Sequence, residues 1–251
     1  MGKINNSMIF LFNIEYLKVP SFTGFMKIIP IFATIQEKDM IYIESMTFNT
    51  FQENTFVVNN DNKETIIFDP GCSNISEQEV LSSYIERNKL NIVRLVNTHC
   101  HIDHVLGNQY ISDKYAVTLE AHLFEKAVLD SCEMVSKIYN IAYAESPEIA
   151  SFINEDDVFQ LGNESFQVLL CPGHSPGSLC FYHAESKIVI GGDVLFQNSI
   201  GRTDLPGGDY NTLINSIKNK LFKLPDDTRV YCGHGPSTTI GLEKKTNPFL
   251  I

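Results

Sequence analysis

The chain has 251 residues, 30 of them acidic and 19 basic, for a formal net charge of −11. A hydrophobic content of 43% and a mean hydropathy of −0.05 describe a globular chain long enough to bury a full core. That acidity argues against nucleic acid or an anionic membrane surface as the main partner, but leaves small anionic substrates open where bound cations make a site locally positive.

The first forty residues hold two short apolar runs, Ile9-Phe10-Leu11-Phe12 and Ile28-Ile29-Pro30-Ile31-Phe32, interrupted by Asn13, Glu15 and Lys18. Neither reaches the roughly 18–20 apolar residues of a membrane-spanning helix, and no secretory leader is evident. Residues 1–39 read as an N-terminal extension of unclear role that adds little to function, and residues 40–251 as the functional domain. Met46 to Asn60 reads as a hairpin pair with a strand through Phe56-Val57-Val58. Thr65-Ile66-Ile67-Phe68 is a buried strand that ends at Asp69, before Pro70-Gly71. A helix is expected over Ser76–Lys89, with Ser76 as its N-cap. Further on, a helix opens over Leu106–Lys114 with its N-terminus toward the site, a longer one covers Ala121–Asn140, Ile141–Asp156 forms a loop-rich cover near the site, and Tyr210–Leu221 is an amphipathic helix. No internal repeat or low-complexity linker is evident.

The densest chemistry lies between the first two of these helices. His99-Cys100-His101-Ile102-Asp103-His104 places three imidazoles and a carboxylate in six residues, although the chain has only 7 histidines. Neutral imidazole and carboxylate are ligands for zinc and similar divalent ions. On an extended segment His99 and His101 point to the same side, and the following turn swings Asp103 and His104 toward a neighbouring point. Four ligands from so short a segment crowd one ion, so two ions sharing the segment is the better geometric reading.

Partners for this cluster occur elsewhere. His174 follows Phe166-Gln167-Val168-Leu169-Leu170-Cys171, Asp193 follows Ile188-Val189-Ile190-Gly191-Gly192, and His234 follows Arg229-Val230-Tyr231-Cys232. Each is a ligand-type residue just past a short apolar segment with glycine or proline beside it, as Asp69 is. Ligands at the carboxyl ends of several strands are the mark of an α/β active site. Singly, His174 or His234 reads as an ordinary loop residue and Asp193 as a helix N-cap. Jointly, the repeated strand-then-ligand pattern outweighs those readings. His122 and His183 receive no role.

These motifs, with the tract from Gly191-Gly192-Asp193 through Gly201-Arg202-Thr203-Asp204 to Gly208-Asp209 and the ending Gly233-His234-Gly235-Pro236, resemble the metallo-β-lactamase superfamily. Within it they are similar to the short, single-domain, glyoxalase II-like bacterial hydrolases. The resemblance runs from about Met46 to the C-terminus. It implies an α+β fold, a four-layer αββα sandwich, with a two-metal centre at one edge. It further implies that His99, His101 and His174 hold one ion, that Asp103, His104 and His234 hold the other, and that Asp193 bridges them. Asp69 then orients a ligand from behind. Asp103 and Asp193 are the expected catalytic carboxylates. The cofactors implied are two divalent metal ions, zinc first, with iron or manganese compatible with the same ligands.

Two such ions sharing a water lower its pKa toward neutrality and polarise a neighbouring carbonyl. A thiol leaving group needs little protonation, so thioesters suit a centre with no obvious free general acid. The resemblance implies the same reaction, hydrolysis of S-2-hydroxyacylglutathione or a related small thioester by attack of a metal-bridging hydroxide. Arg202 sits where such enzymes carry a basic residue near the thiol substrate. It is a substrate-binding candidate whose competing reading is an internal salt bridge to Asp204 or Asp209. Full-length glyoxalase II also carries a helical C-terminal domain with glutathione contacts, whereas this sequence ends at Ile251. The thiol carrier is therefore left open.

Rival readings share the fold. A persulfide dioxygenase would hold a single iron on His99, His174 and Asp193. A β-lactamase is disfavoured because the best-known such enzymes have cysteine at the place of Asp193, and a tRNA-processing nuclease is disfavoured by the acidic balance. A non-catalytic metal-binding protein gains no support, all seven ligand positions being filled. The six cysteines (Cys72, Cys100, Cys132, Cys171, Cys180 and Cys232) form no CxxC pair and are expected to be reduced and buried, in keeping with the cytoplasm. The sequence is silent on oligomeric state.

Overall fold

The computed structural model describes residues 16–19, 27–30 and 40–251. The chain divides into two compact units, Met1–Lys38 and Asp39–Ile251. In the first, β1 (Tyr16–Val19) and β2 (Lys27–Pro30) pair antiparallel, with Tyr16 opposite Pro30. The reading of residues 1–39 as an extension otherwise lies outside the described residues. Among the described residues, no helix is long and apolar enough to cross a membrane.

The second unit is built on two six-stranded sheets. One has the strand order β3 (Tyr42–Phe48), β4 (Glu53–Asn59), β5 (Glu64–Phe68), β6 (Asn91–Val96), β7 (Leu119–Ala121) and β8 (Ile149–Phe152). The other strands, in chain order, are β9 (Val158–Leu161), β10 (Glu164–Leu170), β11 (Leu179–His183), β12 (Ile188–Gly192), β13 (Leu195–Phe196), β14 (Ser199–Ile200), β15 (Arg229–Cys232) and β16 (Thr238–Thr239). Of these, β13 and β14 form a small hairpin, and the remainder make the second sheet in the order β16-β15-β12-β11-β10-β9.

Strand periodicity explains the layering. Phe56 and Val58 on β4, and Ile66 and Phe68 on β5, turn inward and meet Phe159, Phe166, Val168 and Phe181 of the second sheet. Val57 and Ile67, one residue out of phase, turn the other way to pack on Leu81, Ile85, Ile111 and Leu129. Strands buried on both faces carry apolar residues at every position, so the period of two is hidden in composition but governs packing. Helices α1 (Ile75–Asn88), α2 (Ile102–Val105), α3 (Asn108–Tyr115) and α4 (Lys126–Tyr139) contribute to the layer on the first sheet. α5 (Tyr210–Asn219) and α6 (Ile240–Thr246) cover the second, through Leu213, Ile217 and Ile240. The result is the expected four-layer αββα sandwich.

Several local expectations need correction. The first helix starts one residue before Ser76, capped by Asn74, whose Oδ1 accepts from the Glu77 amide at 3.1 Å while Glu77 Oε2 accepts from the Ser73 amide at 2.7 Å. That reciprocal pair satisfies two amides at once and outcompetes Ser76. The helix expected over Leu106–Lys114 is present as α3, and a further short helix, α2, precedes it within the histidine cluster. Gly107, between them, donates its amide to Pro70 O at 2.7 Å. The long helix over Ala121–Asn140 begins late, because Leu119–Ala121 is taken into the sheet beside β6. His122 then accepts from the Phe124 amide and starts a 3-10 turn over Leu123–Glu125 ahead of α4. Ile141–Asp156 contains β8, which completes the first sheet beside β7.

Candidate metal centre

The ligand-type side chains all lie on one edge of the sandwich, past the carboxyl ends of strands from both sheets. Asp69 follows β5, His99 to His104 follow β6, His174 follows β10, Asp193 follows β12 and His234 follows β15. The two sheets are tied together here. Asn54 donates its amide to Gly233 O at 2.7 Å and its side-chain amide to Gly235 O at 2.8 Å, and Leu179 N donates to Thr98 O at 2.8 Å. Gly233 must be glycine. A Cβ there would overlap Asp193 Oδ1 and press on His104 Cε1, so only a bare backbone lets β15 approach the site this closely.

The seven expected ligands converge in two groups. His99, His101 and His174 offer ring nitrogens within 4.8 Å of one another, and so do the donor atoms of Asp103, His104 and His234. Asp193 lies between them. Its Oδ2 is 3.5 Å from His174 Nε2 and 3.4 Å from His234 Nε2, and its Oδ1 is 3.5 Å from His104 Nε2.

Hydrogen bonds behind the rings fix which nitrogens face inward. His174 Nδ1 lies 2.8 Å from Arg202 O, a carbonyl that can only accept, so that nitrogen carries the proton and Nε2 is a bare lone pair. The Thr98 hydroxyl gives its hydrogen to Asp69 Oδ2 at 2.6 Å and therefore accepts from His99 Nδ1 at 3.2 Å, leaving His99 Nε2 bare as well. These two bare nitrogens face each other at 3.2 Å, with His101 Nδ1 at 2.9 Å from His174 Nε2. On the other side His234 Nδ1 is 3.0 Å from Phe51 O, so its Nε2 points at Asp103 Oδ2, 3.1 Å away. Both ring nitrogens of His104 and Asp193 Oδ1 are buried without a hydrogen-bond partner. The converging lone pairs of His99 and His174, without a hydrogen between them, repel, and a cation among the three rings removes that conflict. The donor set, imidazole with carboxylate, is that of a zinc, iron or manganese site, so these residues fit divalent ions.

The two groups differ in charge. Burial, reinforced by His104, His174 and His101, holds His99 well below the usual imidazole range, and burial with His174 pushes His101 down to about 3. For His104 burial disfavours charge, yet Asp103 and Asp193 hold it well above its ordinary value. His234 is likewise held at about 10, against its burial, by Asp103 and Asp193. One group is thus three neutral rings, while the other is a carboxylate-rich pocket that must take up positive charge as protons or as metal.

Asp69 sits behind the ligands, at a backbone φ of 48°, a conformation that aspartate tolerates better than most residues. Its Oδ1 accepts from the Thr98 amide at 2.6 Å and its Oδ2 lies 3.2 Å from His104 Nδ1. It is placed to orient His104, where sequence reasoning put it. Arg202 is exposed and its guanidinium makes two 2.7 Å contacts to Asp204, the internal pair weighed as the alternative to substrate binding. His183 pairs with Glu164 at 2.6 Å, away from the site.

Sequence reasoning missed two buried acids. Glu125 accepts from the Cys100 amide at 2.7 Å, and from Ser175 Oγ and the Gly177 amide at 2.6 Å each. It pins the His99–His104 loop to the His174 loop. Burial raises its pKa, opposed by Ser175 and the two amides. Glu53, fully buried, has Oε1 3.9 Å from His104 Nδ1, and burial holds its carboxyl well above the usual range. In the sequence both look like ordinary surface acids. Only the Glu53-Asn54 position at the start of an apolar run hinted otherwise.

The centre opens into a cavity of about 820 Å³ bounded by His101, Asp103, His174, Asp193 and His234 and by apolar side chains of α4. Among the described residues, none of 141–156 lines that cavity; Ile141, Tyr143 and Ile149 pack instead against the core cluster that holds Cys100 and Ile102.

The sequence profile of the metallo-beta-lactamase superfamily matches residues 48–234, and the chain belongs to that superfamily. It is 38% identical over 215 residues to the hydroxyacylglutathione hydrolase GloC of Haemophilus influenzae, covering 83% of this chain and 97% of that one. Among solved structures it is similar to TTHA1623 in a di-iron-bound form, with 35% identity, a TM-score of 0.76 and coverage of 82% and 100% of the two chains. The BLEG-1 B3 metallo-beta-lactamase gives the same identity and TM-score, with coverage of 83% and 99%. The chain is a metallo-hydrolase of this superfamily.

Proposed function

We propose that the chain hydrolyses small thioesters at a two-metal centre held by His99, His101 and His174 on one side, by Asp103, His104 and His234 on the other, and by Asp193 between them. The observation that carries this reading is the pair of bare nitrogens of His99 and His174 at 3.2 Å, with Asp193 reaching both groups, at the floor of a substrate-sized cavity. The metals are zinc first, with iron or manganese compatible. When bound, they supply positive charge that acidifies a water and polarises a carbonyl.

The chain's own residues do the rest. Asp103 and Asp193, both on the cavity wall, orient the attacking water by accepting its hydrogens. Water adds to the thioester carbonyl, the carbon–sulfur bond breaks, and the products are a carboxylic acid and a free thiol. Thr98 and the Arg202 and Phe51 carbonyls orient the His99, His174 and His234 rings from behind, while His104 and His234, held protonated by Asp103 and Asp193, give up their protons as the site takes up metal. The hydroxyacylglutathione hydrolase name of a 38% identical relative supports a thioester substrate. Six buried, unpaired cysteines agree with a reducing compartment such as the cytoplasm.

A single-iron persulfide dioxygenase would need only His99, His174 and Asp193, and leaves the convergence of Asp103, His104 and His234 unexplained. The test is release of free thiol from S-lactoylglutathione and from simple acyl thioesters by protein loaded with zinc, iron or manganese, run beside oxygen uptake with glutathione persulfide and nitrocefin cleavage. Thiol release from a thioester is expected. Oxygen uptake or β-lactam opening without it would overturn the proposal.

A further inference from the structure

The face that α4 turns toward the centre is unusual for a helix that roofs a core. Leu129 and Cys132 are buried, and the exposed remainder of such a helix is ordinarily polar. Here Ala127, Val128, Met134, Val135 and Ile138 line the cavity from one broad face, in which Val128 and Val135 also pack against the core while Met134 and Ile138 do not. Met134 is 61% and Ile138 70% exposed, and Tyr139 beside them is 51% exposed. Phe196, Leu205 and Pro206 line the same cavity. Exposed apolar side chains gathered around a cavity mark a ligand surface rather than a solvated one.

The polar complement for glutathione is thin. A glutathione thioester carries two carboxylates, which ask for cations or amide donors. Among the described residues that line the cavity, Arg202 is the one Lys or Arg side chain, and its guanidinium is already engaged by Asp204 through two 2.7 Å contacts. Asp103 and Asp193 add negative charge to the floor.

We infer that the apolar slot between α4 and the Phe196–Pro206 wall binds the acyl group, and that the substrates are thioesters of apolar acyl chains several carbons long. The acyl side is the one chosen because common biological thiols end in polar groups, whereas their acyl partners supply apolar length. The inference rests on the thioester reading above and specifies its substrate class.

The test uses the full metal-loaded chain and a series of N-acetylcysteamine thioesters, from acetyl through butanoyl to hexanoyl, with S-lactoylglutathione alongside. Each methylene entering an apolar slot is expected to raise kcat/KM by about two- to fourfold. Hexanoyl should then exceed acetyl by at least about tenfold and also exceed S-lactoylglutathione. Met134→Glu and Ile138→Glu, at exposed helix positions where the fold tolerates charge, should each cut the hexanoyl-to-acetyl ratio by about fivefold or more. A second readout needs no turnover. The non-hydrolysable S-hexyl thioether of N-acetylcysteamine should bind more tightly than its S-methyl counterpart, with a negative heat-capacity change, and more weakly to Ile138→Glu. Thioester turnover with no dependence on chain length, or with S-lactoylglutathione preferred, overturns this inference and leaves the thioesterase reading standing. Chain-length-dependent thioether binding without cleavage of any thioester overturns the thioesterase reading and the substrate class with it, and leaves only the apolar slot. Absence of S-hexyl binding overturns the inference outright.

Discussion

The floor and the wall of the cavity are built on opposite principles. On the floor, imidazoles are tethered from behind, His174 by Arg202 O, His99 by Thr98, His104 by Asp69 and His234 by Phe51 O. The α4 wall has side chains such as Met134 and Ile138 that meet solvent and can shift rotamer freely. A tethered floor keeps charged and lone-pair atoms at distances that would otherwise relax apart. A loose apolar wall can adapt to what it holds at little cost, because non-directional contacts tolerate displacement. Chemistry and substrate choice should therefore be separable by mutation.

The sharpest way to break the floor is Asp193→Ala. It removes the carboxylate shared by both groups and should lower thioester turnover by about 10³-fold, as loss of several kcal/mol of charge stabilisation requires. Turnover and bound metal per chain check it together. Glu125→Ala comes next. It strands the Cys100 and Gly177 amides and the Ser175 hydroxyl, and should destabilise the fold by about 3 kcal/mol in urea titrations. Asp69→Asn keeps the shape but weakens the hold on His104, and should reduce metal affinity or activity by about 10- to 100-fold. Arg202→Ala should change kcat/KM by less than about threefold, since an exposed ion pair contributes little. A tenfold loss on S-lactoylglutathione alone would instead show the guanidinium holding a substrate carboxylate.

A separate effect concerns the buried thiols. Burial pushes Cys72 and Cys132 up to about 12, so both should resist alkylation in the folded protein at pH 8. Their unfolded value is about 8.5. Above that pH the folded state binds more protons than the unfolded one, so this contribution to stability is whole below about pH 8.5 and is lost as pH rises toward 12. Urea midpoints that rise over this range would contradict it.

Much of the floor was legible because ligand chemistry leaves a compositional trace. Three imidazoles in six residues, and lone ligand-type residues after apolar strands, single out the residues that the fold brings together. The wall was not legible. The α4 stripe reads as ordinary amphipathic helix until its apolar face is seen to run past the core edge to Met134 and Ile138, which line a cavity. Glu125 escaped for a related reason. Its partners are two backbone amides and a hydroxyl from loops 25 and more residues away, and no local pattern encodes that. The element boundaries that moved, at Asn74 and Leu119–Ala121, did so because a capping pair and a parallel strand neighbour outweighed local propensity.

The central claim is that both groups of ligands hold a cation at once. Elemental analysis of the full chain, equilibrated with zinc and freed of unbound metal, measures this directly. The account predicts two zinc ions per chain. One ion or none, in protein that remains folded, would contradict it.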